Sequence, residues 1–234
     1  RIDPFETKYF IGQMPDTSLK SVLIAGWDPR RSAGWKRALN AAGGWKVRTP
    51  ARSMSELQSR ALKRPPDLVI TDLHMPDGPA TDLIRALRCG VRPLSMPILV
   101  VTRKQDPLLL DALQEGADGV VDLSEPNGIT LAEHARNVMN GGADIAPWIA
   151  RRLLDHFGMK LEHAHRQSVE TAINPLELTE AERNLLRHIS IGRRMLEAEQ
   201  EAGMAASDGT TQVRAIYRKM QWSLRAGDLQ LKLG

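Results

Sequence analysis

Polar residues that could do chemistry sit directly after short apolar runs. Gly26-Trp27-Asp28 follows Val22-Leu23-Ile24-Ala25, and Asp72 to Gly78 follows Leu68-Val69-Ile70-Thr71. Thr102-Arg103-Lys104 follows Pro97 to Val101, and Asp122 to Glu125 follows Gly119-Val120-Val121. A second candidate lies near the C-terminus. From Gly209 to Arg225 the chain carries Arg214, Arg218, Lys219 and Arg225 and no acid, a helix-sized basic run of the kind that meets nucleic-acid phosphates. Enzymatic constellations do not stand out: there is no glycine-rich phosphate loop, no Cys/His arrangement and no carboxylate pair in an acid/base setting. His74, His134, His156, His163, His165 and His188 are scattered. No enzyme is expected.

The elements that must position these groups follow from apolar spacing. Strand-length runs lie at Val22–Ala25, Trp45–Val47, Leu68–Thr71, Pro97–Val101 and Gly119–Val121. Between them, Asp28-Pro29 reads as the cap and first turn of a helix to about Ala42. Ser53 with Glu56 is a capping-box signature for a helix to Lys63, which Pro65-Pro66 stops. Helices are also predicted over 82–88, 107–114 and 129–139. Five mostly apolar strands separated by helices imply a parallel sheet covered on both faces. In such sheets chemistry sits outside the carboxyl ends of the strands, where the four polar segments fall.

Gly141-Gly142 breaks that alternation. Ile149 to Phe157 is amphipathic and runs on toward His165, and residues 166–177 are polar and contain Asn174-Pro175, a linker composition. Short helices are then predicted over 179–190, 194–201, 207–221 and 225–232, the first opened by a second capping box, Thr179 with Glu182. The expected division is an arm or remnant at 1–18, an α/β unit at 19–140, a linker with a helix at 141–177, and a four-helix unit at 178–234.

Composition narrows the class. No apolar stretch approaches the ~18–20 residues that cross a bilayer. The first twenty residues carry Asp3, Glu6, Lys8 and Asp16 without an apolar core, so no signal peptide and no membrane are expected. The single cysteine, Cys89, excludes an intramolecular disulfide framework and fits a cytoplasmic protein. The net charge of +4 is a weak bias toward polyanions.

These residues resemble a known architecture. The segment from Asp67 to Gly78 with Asp72 is similar to the strand and loop that carry the phosphoacceptor aspartate of two-component receiver domains. Pro97 to Thr102 resembles the next strand with its switch threonine, and Gly116-Ala117-Asp118-Gly119-Val120 the one after. Gly141-Gly142 with Ala150 to Phe157 resembles the linker helix of NarL/FixJ response regulators. Leu178 to Arg183 resembles the opening of their LuxR-type helix-turn-helix, and Ala215 to Met220 the end of its recognition helix. The resemblance implies a doubly wound, flavodoxin-like five-stranded sheet joined by a helical linker to an all-α DNA-binding domain.

Against that family the phosphorylation site is degenerate. Receivers hold Mg²⁺ between the aspartate and the incoming phosphoryl group, helped by two acids after the first strand. Here Gly26 and Trp27 stand at those positions, and Asp28 could serve only if the loop were distorted. The lysine expected after the fifth strand is replaced by Leu123, between Asp122 and Ser124. Asp72 and Thr102 remain. Asp72 is expected to be a leftover strand-end carboxylate, with no cofactor unless Asp28 and Asp72 still form a Mg²⁺ site. Trp27 would either fill the former metal site or pack as a surface tryptophan near Met75-Pro76. Arg30, Arg31, Arg103 and Lys104 would either bind a small anion or form a solvated rim.

The resemblance places the recognition helix from about Ser207, with Asp208, Gly209 and Thr210 where the family carries Thr, an apolar core residue and often Lys. Glu199 stands at a position that is normally small and buried. Arg193, Arg194, Arg214, Arg218 and Lys219 are candidate phosphate contacts, and Thr210, Thr211 and Gln212 candidate base contacts. The competing expectation is that the basic residues form a solvated helix face. Val213, Ile216, Tyr217 and Met220 recur at core spacing, and Leu229 and Leu231 read as core or dimer surface. The function these residues imply is a phosphorylation-independent, DNA-binding transcriptional regulator. Its expected partners are promoter DNA, a second copy as homodimer, and a sensor kinase or regulatory protein. The alternative is a protein-interaction module that has lost sequence-specific DNA binding.

Overall fold

The computed structural model describes residues 18–123, 130–165, 176–206 and 208–233. The α/β part runs β1 (Lys20–Ala25), α1 (Pro29–Ala42), β2 (Trp45–Val47), α2 (Met54–Lys63) and β3 (Leu68–Asp72). It continues through a two-residue hairpin, β4 (His74–Met75) and β5 (Gly78–Pro79), into α3 (Ala80–Cys89), β6 (Ile98–Thr102), α4 (Leu109–Glu115), β7 (Gly119–Asp122) and α5 (Leu131–Met139). The five long strands are parallel in the order β2-β1-β3-β6-β7. The register pairs Ala25 with Thr71, Asp72 with Val101 and Thr102 with Asp122, so the candidate residues share one sheet edge.

Alternate side chains of each strand point to opposite faces, and both faces are covered. Val22, Ile24, Ile70 and Leu99 pack with Trp35 and Leu39 of α1 and Ala135 and Val138 of α5. Leu23, Val69 and Val100 pack with Leu57, Ile84 and Leu113 of α2, α3 and α4. Each such large side chain contributes about 1.5–3 kcal/mol on burial. Caps set the helix starts. Asp28 Oδ1 accepts the Arg30 N–H at 2.8 Å and opens α1. Ser53 Oγ accepts from Glu56, but the Glu56 carboxylate takes the Arg52 N–H at 2.7 Å, so the expected box is only half formed.

The helical part comprises α6 (Pro147–His165), α7 (Glu180–Ser190), α8 (Met195–Glu201) and α9 (Gly209–Leu233). The Thr179–Glu182 capping box forms as expected. The two helices predicted over 207–221 and 225–232 are a single one, α9. Residues 222–224, Trp-Ser-Leu, contain neither glycine nor proline, so nothing at the expected break interrupts the helix, and Gly227 beyond it costs only about 1 kcal/mol. The resulting rod is about 37 Å long. Val213, Ile216, Tyr217 and Met220 are fully buried, as their spacing predicts. They join Leu185, Leu186 and Ile189 of α7, and the same core continues through Ile149 and Leu153 of α6 to α4.

The arm at 1–18 lies outside the described residues apart from Ser18, as does most of the polar 166–177 stretch. The side chains of Leu229 and Leu231 also lie outside them. No helix among the described residues is long and apolar enough to cross a membrane.

Candidate functional site

Asp72 ends β3 with its carboxylate almost fully buried, 4% exposed. Its Oδ2 accepts the Trp27 backbone N–H at 3.0 Å, and Oδ1 faces the Arg31 guanidinium at 3.2 Å. Arg31 is itself held, because its guanidinium lies 5.4 Å from the centroid of the Trp35 ring. Burial pushes the Asp72 carboxyl above the usual carboxylate range, while Arg31, the Trp27 N–H and Arg103 pull it back. A fixed guanidinium therefore compensates this buried charge.

The start of α1 explains the arrangement. Capping by Asp28 places Ser32 and Arg31 over the carboxyl end of β1. Gly26 is buried, and a Cβ there would stand 2.4 Å from Ser32 Oγ and 3.3 Å from Asp72 Oδ2. The helix thus fills the space that an acid at position 26 would need. Trp27 is half exposed and lines the mouth of the pocket, while Asp28 is absent from its walls. The Mg²⁺ that the fold suggests does not fit the residues present. Positions 26 and 27 offer no oxygen side chain, Asp28 caps α1, and a cation already occupies Asp72 Oδ1. The remaining cavity of about 10 Å³ holds no more than a water.

Thr102 is buried in the wall, with Oγ1 donating to the Arg103 carbonyl at 3.4 Å. His74 Nε2 meets Asp106 Oδ2 at 2.7 Å and closes the opposite wall; Arg152 of α6 donates to the Asp106 carbonyl. Neither His74 nor Asp106 carries a sequence signal beyond nearness to Asp72 and Thr102. Leu123 follows β7 as an exposed residue and is absent from the pocket walls, and Ser124 lies outside the described residues. Of the remaining basic candidates at this edge, Arg30 and Arg103 are exposed.

The structure divides the expected DNA contacts. Arg214 is buried, not available to phosphate. Its guanidinium bonds both the carboxylate and the carbonyl of Asp118, which precedes β7. Asp118 is also bonded by Arg88 of α3 and by the Ile98 N–H at 2.7 Å. Burial pushes Asp118 up and Arg214 down, and each holds the other charged against that trend. Lys219 is likewise corrected. Its Nζ lies 2.5 Å from the buried Glu182 carboxylate and 2.9 Å from the Glu177 carbonyl, tying α9 to the start of α7. Thr210 packs on Gly142, and its carbonyl accepts the Ala143 N–H at 2.9 Å.

Thr210, Arg214 and Gln221 therefore line the edge of α9 that meets the α/β part, where Gln221 donates to the Ala117 carbonyl. Thr211, Arg218 and Trp222 are exposed on another face, and Gln212 is half buried. Arg193 is exposed and pairs with Glu201 at 3.5 Å, while Arg194 caps α8, with its N–H on the Glu197 carboxylate.

The α/β part is similar to known proteins. Residues 22–125 match the response regulator receiver domain family. The chain is 26% identical over 202 residues to the nitrate/nitrite response regulator protein homolog of Haemophilus influenzae, covering 85% of this chain and 89% of that one. It is 25% identical over 142 residues to the transcriptional regulatory protein LnrK of Bacillus subtilis, covering 61% of this chain and only 64% of the relative. Among solved structures, RcsB from Salmonella enterica serovar Typhimurium bound to a promoter has the same fold. The TM-score is 0.51 at 20% identity, over 87% of this chain and 93% of that one. Residues 22–125 are thus similar to response regulator receiver domains, and the relatives named above are a response regulator and a transcriptional regulatory protein.

Proposed function

We propose that this receiver-bearing chain is a DNA-binding transcriptional regulator that works without phosphorylation of Asp72. The observation that carries the reading is the Arg31–Asp72 pair, 3.2 Å apart, with no oxygen side chain at residues 26 and 27. Arg31 supplies permanently the positive charge that a metal and a phosphoryl-binding lysine would supply transiently. Residues 19–140 act as the pseudo-receiver and 178–234 as the helix-turn-helix unit, joined through 141–177. DNA would meet the outward face of α9 through Thr211 and Arg218, with Gln212 beside them and Arg193 and Arg194 at the α7–α8 turn. The protein would act as a homodimer on promoter DNA. Control would run through the Thr210–Arg214–Gln221 edge docked on the receiver.

The test is retention of full-length protein on genomic DNA fragments with and without acetyl phosphate and Mg²⁺, alongside Asp72→Ala. Selective retention that neither treatment changes by more than about twofold supports the reading. A tenfold, phosphodonor-dependent change that Asp72→Ala abolishes overturns it, at about 1.4 kcal/mol per tenfold. The internal use of Arg214 and Lys219 favours one alternative, a protein-interaction module without sequence-specific DNA binding. No retention even at low salt would select it.

A further inference from the structure

Beside the Asp72 pocket, on the outer side of Trp27, lies a separate cleft of about 340 Å³. One wall is a stripe of α1, Pro29, Ser32, Ala33 and Lys36, at helical spacing and small except at its end. The other wall is the segment Thr49 to Arg52. That wall is fixed: Ala51 extends the pairing with β1, its N–H on the Ile24 carbonyl at 2.7 Å. The half-exposed Trp27 also lines the cleft. Lys36 and Arg52 line the cleft, and among the described residues neither has an ion-pair partner and no carboxylate lines it.

Its place in the fold is suggestive in physical terms. Open parallel sheets bind ligands outside the carboxyl ends of their strands. The order reverses between β1 and β3, over the Asp72 pocket, and this cleft lies at the same edge on the other side of β1, between the segments that follow β1 and β2. The volume is that of a small-molecule site, with apolar walls and few charged groups. Trp27 offers an aromatic face for stacking, and Lys36 and Arg52 offer positive charge. We infer that this cleft binds a small planar aromatic anion, its ring on Trp27 and its phosphate or carboxylate between Lys36 and Arg52. A ligand seated there would lie one peptide from the Trp27 N–H that holds Asp72. The inference deepens the proposed function, since it gives a receiver without phosphoryl control a different input.

The experiment is calorimetric titration of the full chain with adenosine monophosphate and with 1-naphthoate. Adenosine and inorganic phosphate serve as the uncharged and the ring-free controls. At least one aromatic anion should saturate a single site, and its control should bind at least about tenfold more weakly. Lys36→Ala/Arg52→Ala should weaken that anion about tenfold or more, Trp27→Ala should do the same, and Trp27→Phe should restore binding to within about threefold. Failure of both anions to bind at millimolar concentration overturns the inference, as does binding that survives Trp27→Ala and the double variant. A parallel arm with acetyl phosphate and Mg²⁺ separates the two readings. Phosphorylated Asp72 with anion binding intact would sink only the phosphorylation-independent function.

Discussion

The buried carboxylate of Glu199 accepts the N–H of Gly209 at 2.7 Å, at the first residue of α9. Gly209 has no side chain, and a Cβ built there would stand 2.5 Å from both Glu199 Oε1 and Met195 Sδ. The acid at 199 and the glycine at 209 are therefore one device. The missing side chain at 209 makes room for the acid at 199, and the acid satisfies an orphan donor where the helix dipole favours negative charge.

Substitution at either position should then depend on the other. Gly209→Ala gains up to about 1 kcal/mol of helix propensity but overpacks the contact, at a cost of about 1–3 kcal/mol. Glu199→Ala frees the space and loses the cap, a cost of about 1–2 kcal/mol. The double variant should recover at least about 0.5 kcal/mol relative to the sum, measured by urea unfolding. Strict additivity would mean that the two residues act separately.

The Arg31–Asp72 pair carries a pH signature. Removing the guanidinium leaves a buried carboxylate with only the Trp27 N–H at close range, so Arg31→Ala should cost about 1–3 kcal/mol. That is less than the ~3–5 kcal/mol for a fully buried pair, because Arg31 is 31% exposed. Asp72→Asn in the same background should restore most of it. Asp72 titrates above its unfolded value because of burial. Folding therefore favours its protonated form, a contribution present below the unfolded value and lost as pH rises through the folded one. The deficit of Arg31→Ala in thermal melts should shrink from pH 7 toward pH ~4. A deficit that grows on acidification would contradict the assignment.

Much of this was readable in advance, and the failures share a cause. Apolar runs bounded by Pro, Gly and capping residues marked all five strands and the core face of α9. What spacing could not distinguish was which of several neighbouring cations turns inward. Arg30 and Arg31 are adjacent, and only the helical phase set by the Asp28 cap sends Arg31 to Asp72. Arg214 and Arg218 lie one turn apart, about 40° around the helix, and the packing of α9 on α4 buries one and leaves the other in water. That packing joins residues about a hundred positions apart, which no local pattern contains. The hairpin at 74–79 escaped for the opposite reason, being too short for a period.

Asp118 serves two guanidiniums at once, and the loss of one member should be unequal to the loss of another. Asp118→Ala removes the carboxylate shared by Arg88 and Arg214, whose side chains are 10% and 8% exposed and keep their bonds to backbone carbonyls, and should cost about 3–5 kcal/mol. Arg214→Ala leaves Asp118 with Arg88 and the Ile98 N–H, so its cost should be smaller. Urea unfolding of the two variants gives the order. A larger loss for Arg214→Ala would mean that the arginine packs rather than pairs.

The division of the basic residues of α9 makes a quantitative statement about DNA. A side chain that neutralises one phosphate contributes about 0.9 to the slope of log affinity against log salt. Arg218 is exposed, whereas Arg214 and Lys219 already face carboxylates within the protein. On a retained DNA fragment, Arg218→Ala should therefore lower the slope by about 0.9, and so should Arg218→Gln, which keeps the helix but not the charge. Lys219→Ala and Arg214→Ala should leave the slope unchanged even where they alter affinity through the stability or docking of α9. Salt titration separates these effects because a conformational cost shifts the line without tilting it. Equal tilts for all three positions would mean that the internal pairs open on DNA and that the docked arrangement is not the one that binds.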